Sequence, residues 1–376
     1  MAAVMTVACG PVSEEEVLPS PPPVQEAPIA LSGNLSEEGD VTRTAPAGLE
    51  TVLPEGYKKF KVWAYKNVAS NPGYQTVMDG YTVKWVANTA STTTSNTHDW
   101  EYVNQQPFGS TEQTIKYWDW SATAYRFFAV APSSSNTDLA VDIVETGGAY
   151  VAYATFHVDA TTDAKIAGSP YYSKLWYSPI ADQIPSAGEK PAPVTLAFIQ
   201  PFAAVRFMFI FEDPAMAPTT KLTEKSFRPT LDGYIGQAGD VTVSYPITGA
   251  GSDAVESVSV DWSTVTTIDA FTEDYYESVD AQAHTPYLDA NPAVLSKWYT
   301  VLPITNQGTY TLSVNVNDVQ KTTVVPAEFM DWLPGYKYTY IFKVHVESGD
   351  ISIDMVQAAF TPWTVGKEAE HKVYNW

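Results

Sequence analysis

The chain has 376 residues, of which 45% are apolar, 13% aromatic and only 17% charged. Such a composition excludes global disorder, and 27 prolines with 21 glycines exclude long coiled coils. Forty-three acids against 21 bases give a net charge of −22, a field that repels nucleic acid and anionic lipid head groups.

Met1 to Ala8 reads MAAVMTVA and runs into Cys9-Gly10, similar to the end of a bacterial lipoprotein signal peptide, so Cys9 is the expected lipidation site. As the sole cysteine it leaves no intrachain disulfide and no cysteine-based metal site. Residues 10 to 50 form an acidic, Pro-rich leader (Glu14 to Glu16, Pro19, Pro21 to Pro23) expected to be an extended tether. Within it, Pro28-Ile29-Ala30-Leu31-Ser32 is a short strand-like patch.

From Tyr57 onward the hydrophobic period is two. Phe60, Val62 and Ala64 alternate with Lys61, Trp63 and Tyr65; similar runs occupy Val241–Tyr245, Tyr310–Val316, Tyr340–Val346 and Ile351–Met355. One apolar and one polar face predict antiparallel sheets over a core, with Ser348-Gly349-Asp350 joining the last two runs as a hairpin. Residues 181–193 read as a linker. Val194 to Phe211 (VTLAFIQPFAAVRFMFIF) predicts a strand, a bend at Gln200-Pro201 and a second strand buried on both sides. Gly233, Gly236 and Gly239 read as turn residues. The chain is therefore all-β: two tandem antiparallel β-sandwich domains, over 51–193 and 194–376, behind a signal remnant (1–9) and the leader (10–50).

Chemistry is sparse. His98, His157, His284, His345 and His371 are scattered, and no G-x-S-x-G, H-E-x-x-H or P-loop occurs. No catalytic, cofactor-binding or metal residue is assigned, no cofactor is expected, and an enzyme is not. Pairs such as Glu273 with Asp274, or Asp261 near Trp262, are expected by chance among 43 acids. The aromatic surplus offers an alternative. Trp100, Tyr102, Trp118, Trp120, Tyr171, Tyr172, Trp176, Tyr177, Tyr275 and Tyr276 either pack the sandwiches or present stacking platforms. In the second case the protein is a monomeric outer-surface lipoprotein that binds glycans.

An ordered set of segments carries a resemblance: Phe60-Lys61-Val62-Trp63-Ala64-Tyr65, Val77-Met78-Asp79-Gly80, Trp100-Glu101-Tyr102, Lys116-Tyr117-Trp118 and Tyr125 to Pro132. Val194 to Phe209, Leu333 to Phe342 and Pro362-Trp363 extend it through residue 363. Together they resemble the Bacteroidales fimbrillin family of type V pilins. The resemblance implies two transthyretin-like sandwiches in a fimbrial subunit, made as a lipoprotein and carried to the outer membrane or fimbrium for adhesion. Its implied partners are other fimbrial subunits and a surface receptor or glycan, with membrane contact only through the lipid. It also implies proteolysis after a basic leader residue, which removes a first strand and opens a groove for a strand from another subunit. Arg43, followed by Thr44, is the only Lys or Arg before Lys58 and matches such a site. Pro28 to Leu35 is the expected occupant of the groove, and Ile351 to Val365 the candidate donor or its shield.

Overall fold

The computed structural model describes residues 27–35, 48–53, 55–87, 92–93, 98–105, 113–131, 139–159, 171–186, 188–213, 215, 219–231, 233–248, 259–273, 277–279, 293–296, 298–304, 308–345 and 350–360. The described chain is built of strands: β1 (Leu31–Leu35), β2 (Lys59–Val68), β3 (Asn71–Ala87), β4 (His98–Glu101), β5 (Ala122–Ala131), β6 (Ala140–Thr146), β7 (Ala149–Asp159), β8 (Tyr171–Ser173), β9 (Trp176–Pro179), β10 (Val194–Ile199) and β11 (Ala203–Phe211). There follow β12 (Leu222–Pro229), β13 (Ile235–Pro246), β14 (Ser259–Ile268), β15 (Phe271–Glu273), β16 (Glu277–Val279), β17 (Ala293–Leu295), β18 (Tyr299–Val301), β19 (Tyr310–Val316), β20 (Val319–Val325), β21 (Tyr336–Val344) and β22 (Ile351–Phe360). A one-turn helix, α1 (Leu49–Val52), lies between β1 and β2.

Four sheets form. The first runs β1-β10-β8-β5-β2-β3-β4, with β9 also on β5; the second runs β14-β13-β7-β6. The third runs β16-β17-β11-β21-β22, with β18 also on β11; the fourth runs β15-β12-β19-β20. Most pairs are antiparallel, as the alternation predicts, but β1–β10 and β11–β21 are parallel. The sheets do not divide at residue 194. β10 completes the first sheet, and β13 pairs with β7 from Ala238↔Asp159 to Pro246↔Val151.

Side-chain direction explains the layering. Phe60, Val62 and Ala64 of β2 and Phe127, Ala129 and Ala131 of β5 face one core. Their alternates Trp63, Tyr65, Phe128 and Val130 face a second core, closed by Ala152, Ala154 and Phe156 of β7 and Val241, Val243 and Tyr245 of β13. The central strands of the first sheet are thus buried on both faces rather than one. Phe128 stacks on Tyr245 at 4.1 Å between ring centroids. A third core lies between the third and fourth sheets, with Phe207 and Phe209 of β11, Phe227, Leu312, Trp332, Tyr340 and Phe342. The Val194–Phe211 run has the expected form: β10, a bend at Gln200-Pro201, then β11 with all nine residues buried.

Two local features follow from residue type. Asn317 and Asp318 both have positive φ and link β19 to β20 as a two-residue turn that matches strand twist. Gly236 and Gly239 lie inside β13, not in turns. They lie at the register shifts against β14, between Gly236 and Ala238 and between Ala238 and Asp240.

Candidate functional site

The segment Ala27–Leu35 fills a groove in the first sheet. Residues 27–29 lie antiparallel to 116–118: Ile29 N–H donates to Lys116 O at 2.8 Å and Trp118 N–H to Ala27 O at 3.0 Å. The strand then switches partner. Val194 N–H donates to Ala30 O at 2.8 Å, and β1 runs parallel to β10 from Leu31↔Val194 to Leu35↔Phe198. The first sheet curls so that its edge strands β1 and β4 meet, which makes the leader strand the stave that closes a barrel-like wrap. Each backbone group it supplies would otherwise leave an open edge.

Its inward side chains, Ile29, Leu31 and Leu35, join the core of Phe60, Trp100 and Phe198. Burying three large aliphatic groups contributes about 1.5–3 kcal/mol each. Outward, Ser32 Oγ and Thr195 Oγ1 are hydrogen-bonded at 2.9 Å. After β1 the chain returns over its own leader: Asn34 bridges Gly48, and Leu49 and Leu53 enter the same core.

Polar groups brace the groove. The Tyr102 hydroxyl lies 3.0 Å from Ile29 O and 3.3 Å from Lys116 O, and accepts Lys116 N–H at 3.1 Å. Burial drives its ionisation far above the ordinary tyrosine range. The buried Gln113 amide donates to Thr82 O at 2.8 Å and to Tyr102 O at 2.7 Å, and its oxygen accepts Thr82 N–H at 2.6 Å. The buried Glu101 carboxylate accepts the N–H groups of Tyr102 and Val103 at 2.8 Å and the Thr93 hydroxyl at 3.0 Å. At the other end, Asp119 binds Lys66, the Ser121 hydroxyl and Ser121 N–H; these bonds lower its pKa to about 2.

No family model matches the chain, and no curated protein matches it. Solved structures do. A fimbrial protein from Bacteroides vulgatus ATCC 8482 superposes with a TM-score of 0.50 at 15% identity, covering 89% of this chain and 99% of that one. The fold is similar to that of this Bacteroides fimbrial protein. A candidate cell adhesion protein from Bacteroides ovatus ATCC 8483 aligns with a TM-score of 0.45 at 13% identity, over 88% of this chain and 97% of that one. For the fimbrial anchor protein Mfa2 from Porphyromonas gingivalis the values are 0.30 and 11%, over 88% and 97%.

Cys9, Arg43 and Thr44 lie outside the described residues, as do Asp274, Tyr275, Tyr276 and Val365. Of the aromatics considered as sugar platforms, Trp100, Tyr102, Trp118, Tyr171 and Tyr172 are core residues. Trp120, Trp176 and Tyr177 are partly buried, with Arg126 over the Tyr177 ring at 4.7 Å. Among the described residues no three His, Cys, Asp or Glu side chains converge as metal ligands. Sequence reasoning placed Pro28 to Leu35 in a groove but missed Gly33, Leu49 and Gln113. The first had a signal: Gly33 interrupts an otherwise aliphatic inward series.

Proposed function

We propose that this chain is a fimbrillin-like surface subunit that assembles by strand exchange at the leader groove and serves adhesion, with no catalytic role. The observation that carries the reading is the leader strand itself. It completes a core by non-covalent contacts, and the only basic residue before Lys58, Arg43, lies between it and the point where the chain returns at Gly48. In this reading a protease cuts between Arg43 and Thr44, and the leader leaves. A strand from another subunit then supplies the lost hydrogen bonds and apolar side chains. Ile351–Phe360 of the expected donor segment is already paired with β21 as β22, so the entering strand is a different one. Before the cut, lipid on Cys9 holds the chain at the outer membrane. The fold shared with a fimbrial protein supports the reading, and so does the burial of Trp100, Tyr102, Trp118, Tyr171 and Tyr172 in cores rather than on platforms.

Limited trypsin treatment of the full chain tests it. The first cut is expected after Arg43, followed by oligomer ladders on mild gels, and Arg43→Ala is expected to block both. N-terminal sequencing and intact mass of surface-extracted protein should give Thr44 for processed chains and a lipid adduct on Cys9 for precursors. A chain trimmed at Arg43 that stays monomeric at high concentration would overturn the exchange.

A further inference from the structure

The inward face of the leader strand reads Ile29, Leu31, Gly33, Leu35: three large aliphatic residues and one position with no side chain. A Cβ placed on Gly33 would stand 3.0 Å from Phe198 Cε2 and 3.3 Å from Leu49 Cδ2. Gly33 is not among the residues with positive φ, so conformation does not demand glycine here; space does. Both neighbours sit in packed surroundings. Phe198 is fully buried and tilts against Phe60 at 5.2 Å, which meets Trp100 at 5.0 Å. Leu49 is fully buried on α1, directly after the Gly48 bridge to Asn34.

Resting on the exchange reading, we infer that Phe198 and Leu49 make this a sequence-reading groove. It admits a strand of another subunit with aliphatic residues at the positions of Ile29, Leu31 and Leu35 and glycine at that of Gly33. The same device fixes register. A slip of one residue turns Ser32 and Asn34 inward, and alternation alone forbids it. A slip of two keeps the apolar face inward, so alternation permits it, but it drives Leu31 or Leu35 against Phe198 and Leu49. The missing side chain is what separates the correct register from its even-numbered neighbours.

Two measurements test this on the full chain. Gly33→Val should lower Tm by roughly 3–10 °C, the scale of overpacking a closed core. Leu49→Ala should lower it too, but the double variant should melt at or above Leu49→Ala alone, because the valine fills the space vacated. Gly33→Ala would raise Tm in a roomy site by restricting the unfolded chain; a lower Tm is expected. A Gly33→Val chain that melts like wild type, or a double variant with additive losses, overturns the inference. In the second measurement the full chain is nicked at Arg43 and challenged with a fluorescent synthetic peptide spanning residues 27–36. This peptide should exchange in, and its Gly33→Val form should do so at least tenfold less. Equal entry of both overturns the groove's selectivity while leaving exchange intact. Entry of neither overturns exchange and the partner requirement together, and the melting pair then still shows whether Gly33 is a packing constraint within the chain.

Discussion

β22 and β1 each complete a sheet, yet they are tied in differently. β22 follows β21 after a short connection and pairs with it from Val344↔Ile351 to Tyr336↔Phe360. β1 pairs with a strand 163 residues away in sequence and is joined to the rest of the chain by the stretch from residue 36 to residue 47. A hairpin strand is restored by local closure each time it frays, at small entropic cost. A strand held by distant pairing keeps its place by contacts alone once the connection is cut. In the proposed reading, similar strand chemistry gives a fixed stave in one sheet and an exchangeable one in the other, and connectivity makes the difference.

The largest expected effect falls on the fixed side. Phe342 is fully buried, stacks on Phe209 at 5.6 Å and stands opposite Ile353 in the ladder. Phe342→Ala should cost about 3–5 kcal/mol in denaturant unfolding. A loss below about 1 kcal/mol would mean that the β21 register places it elsewhere. On the exchangeable side Leu31→Ala should cost about 2–5 kcal/mol, toward the lower end because the groove lies at a sheet edge. The two variants separate by location: amide exchange should quicken along β10 in Leu31→Ala while β21 keeps its protection. If β21 and β10 lose protection together, the leader is as integral as β22 and the contrast fails.

Tyr102→Phe probes the brace with a smaller expected loss. It removes one hydroxyl that meets Ile29 O, Lys116 O and Lys116 N–H in a buried setting. Leaving such groups unpaired costs about 1–3 kcal/mol. The expected signature is faster release of the leader after cleavage at Arg43; unchanged release would assign Tyr102 to packing alone.

The alternation made much of this legible. The inward faces of β2, β19 and β21 lie where period two puts them, and the broken apolar run at 194–211 resolves into β10 and β11. The patch at Pro28 to Leu35 reads as a strand because Ile29, Leu31 and Leu35 keep the period. Burial on both faces of β2 was not legible, since Trp63 and Tyr65 fit a wet face as readily as a second core. Nor was the pairing of β13 with β7, or the parallel β1–β10 ladder, because a partner far along the chain leaves no mark on local periodicity. Gly33 has no reading of its own in the sequence; the positions of Phe198 and Leu49 make it a constraint.

The smallest expected effect is a pH dependence on the leader's side. Asp119 follows Trp118, whose N–H holds Ala27, and its carboxyl is kept near pKa 2, below the ordinary 3.8, chiefly by Lys66 and then by Ser121. A carboxyl lowered on folding stabilises the native state fully above its unfolded pKa, and that stabilisation is lost as pH falls through the folded one. The window here is pH 4 to 2. Its side chain is 33% exposed, so solvent screening leaves about 1 kcal/mol or less. Asp119→Asn should therefore lose less stability than wild type between pH 4 and 2, with the two chains converging at the acid end. The retained leader should dissociate faster from the nicked wild-type chain at pH 2.5 than at pH 5, and the variant should show little change. Equal acid sensitivity in the two chains would place the responsible carboxylate elsewhere and leave the leader's hold independent of this ion pair.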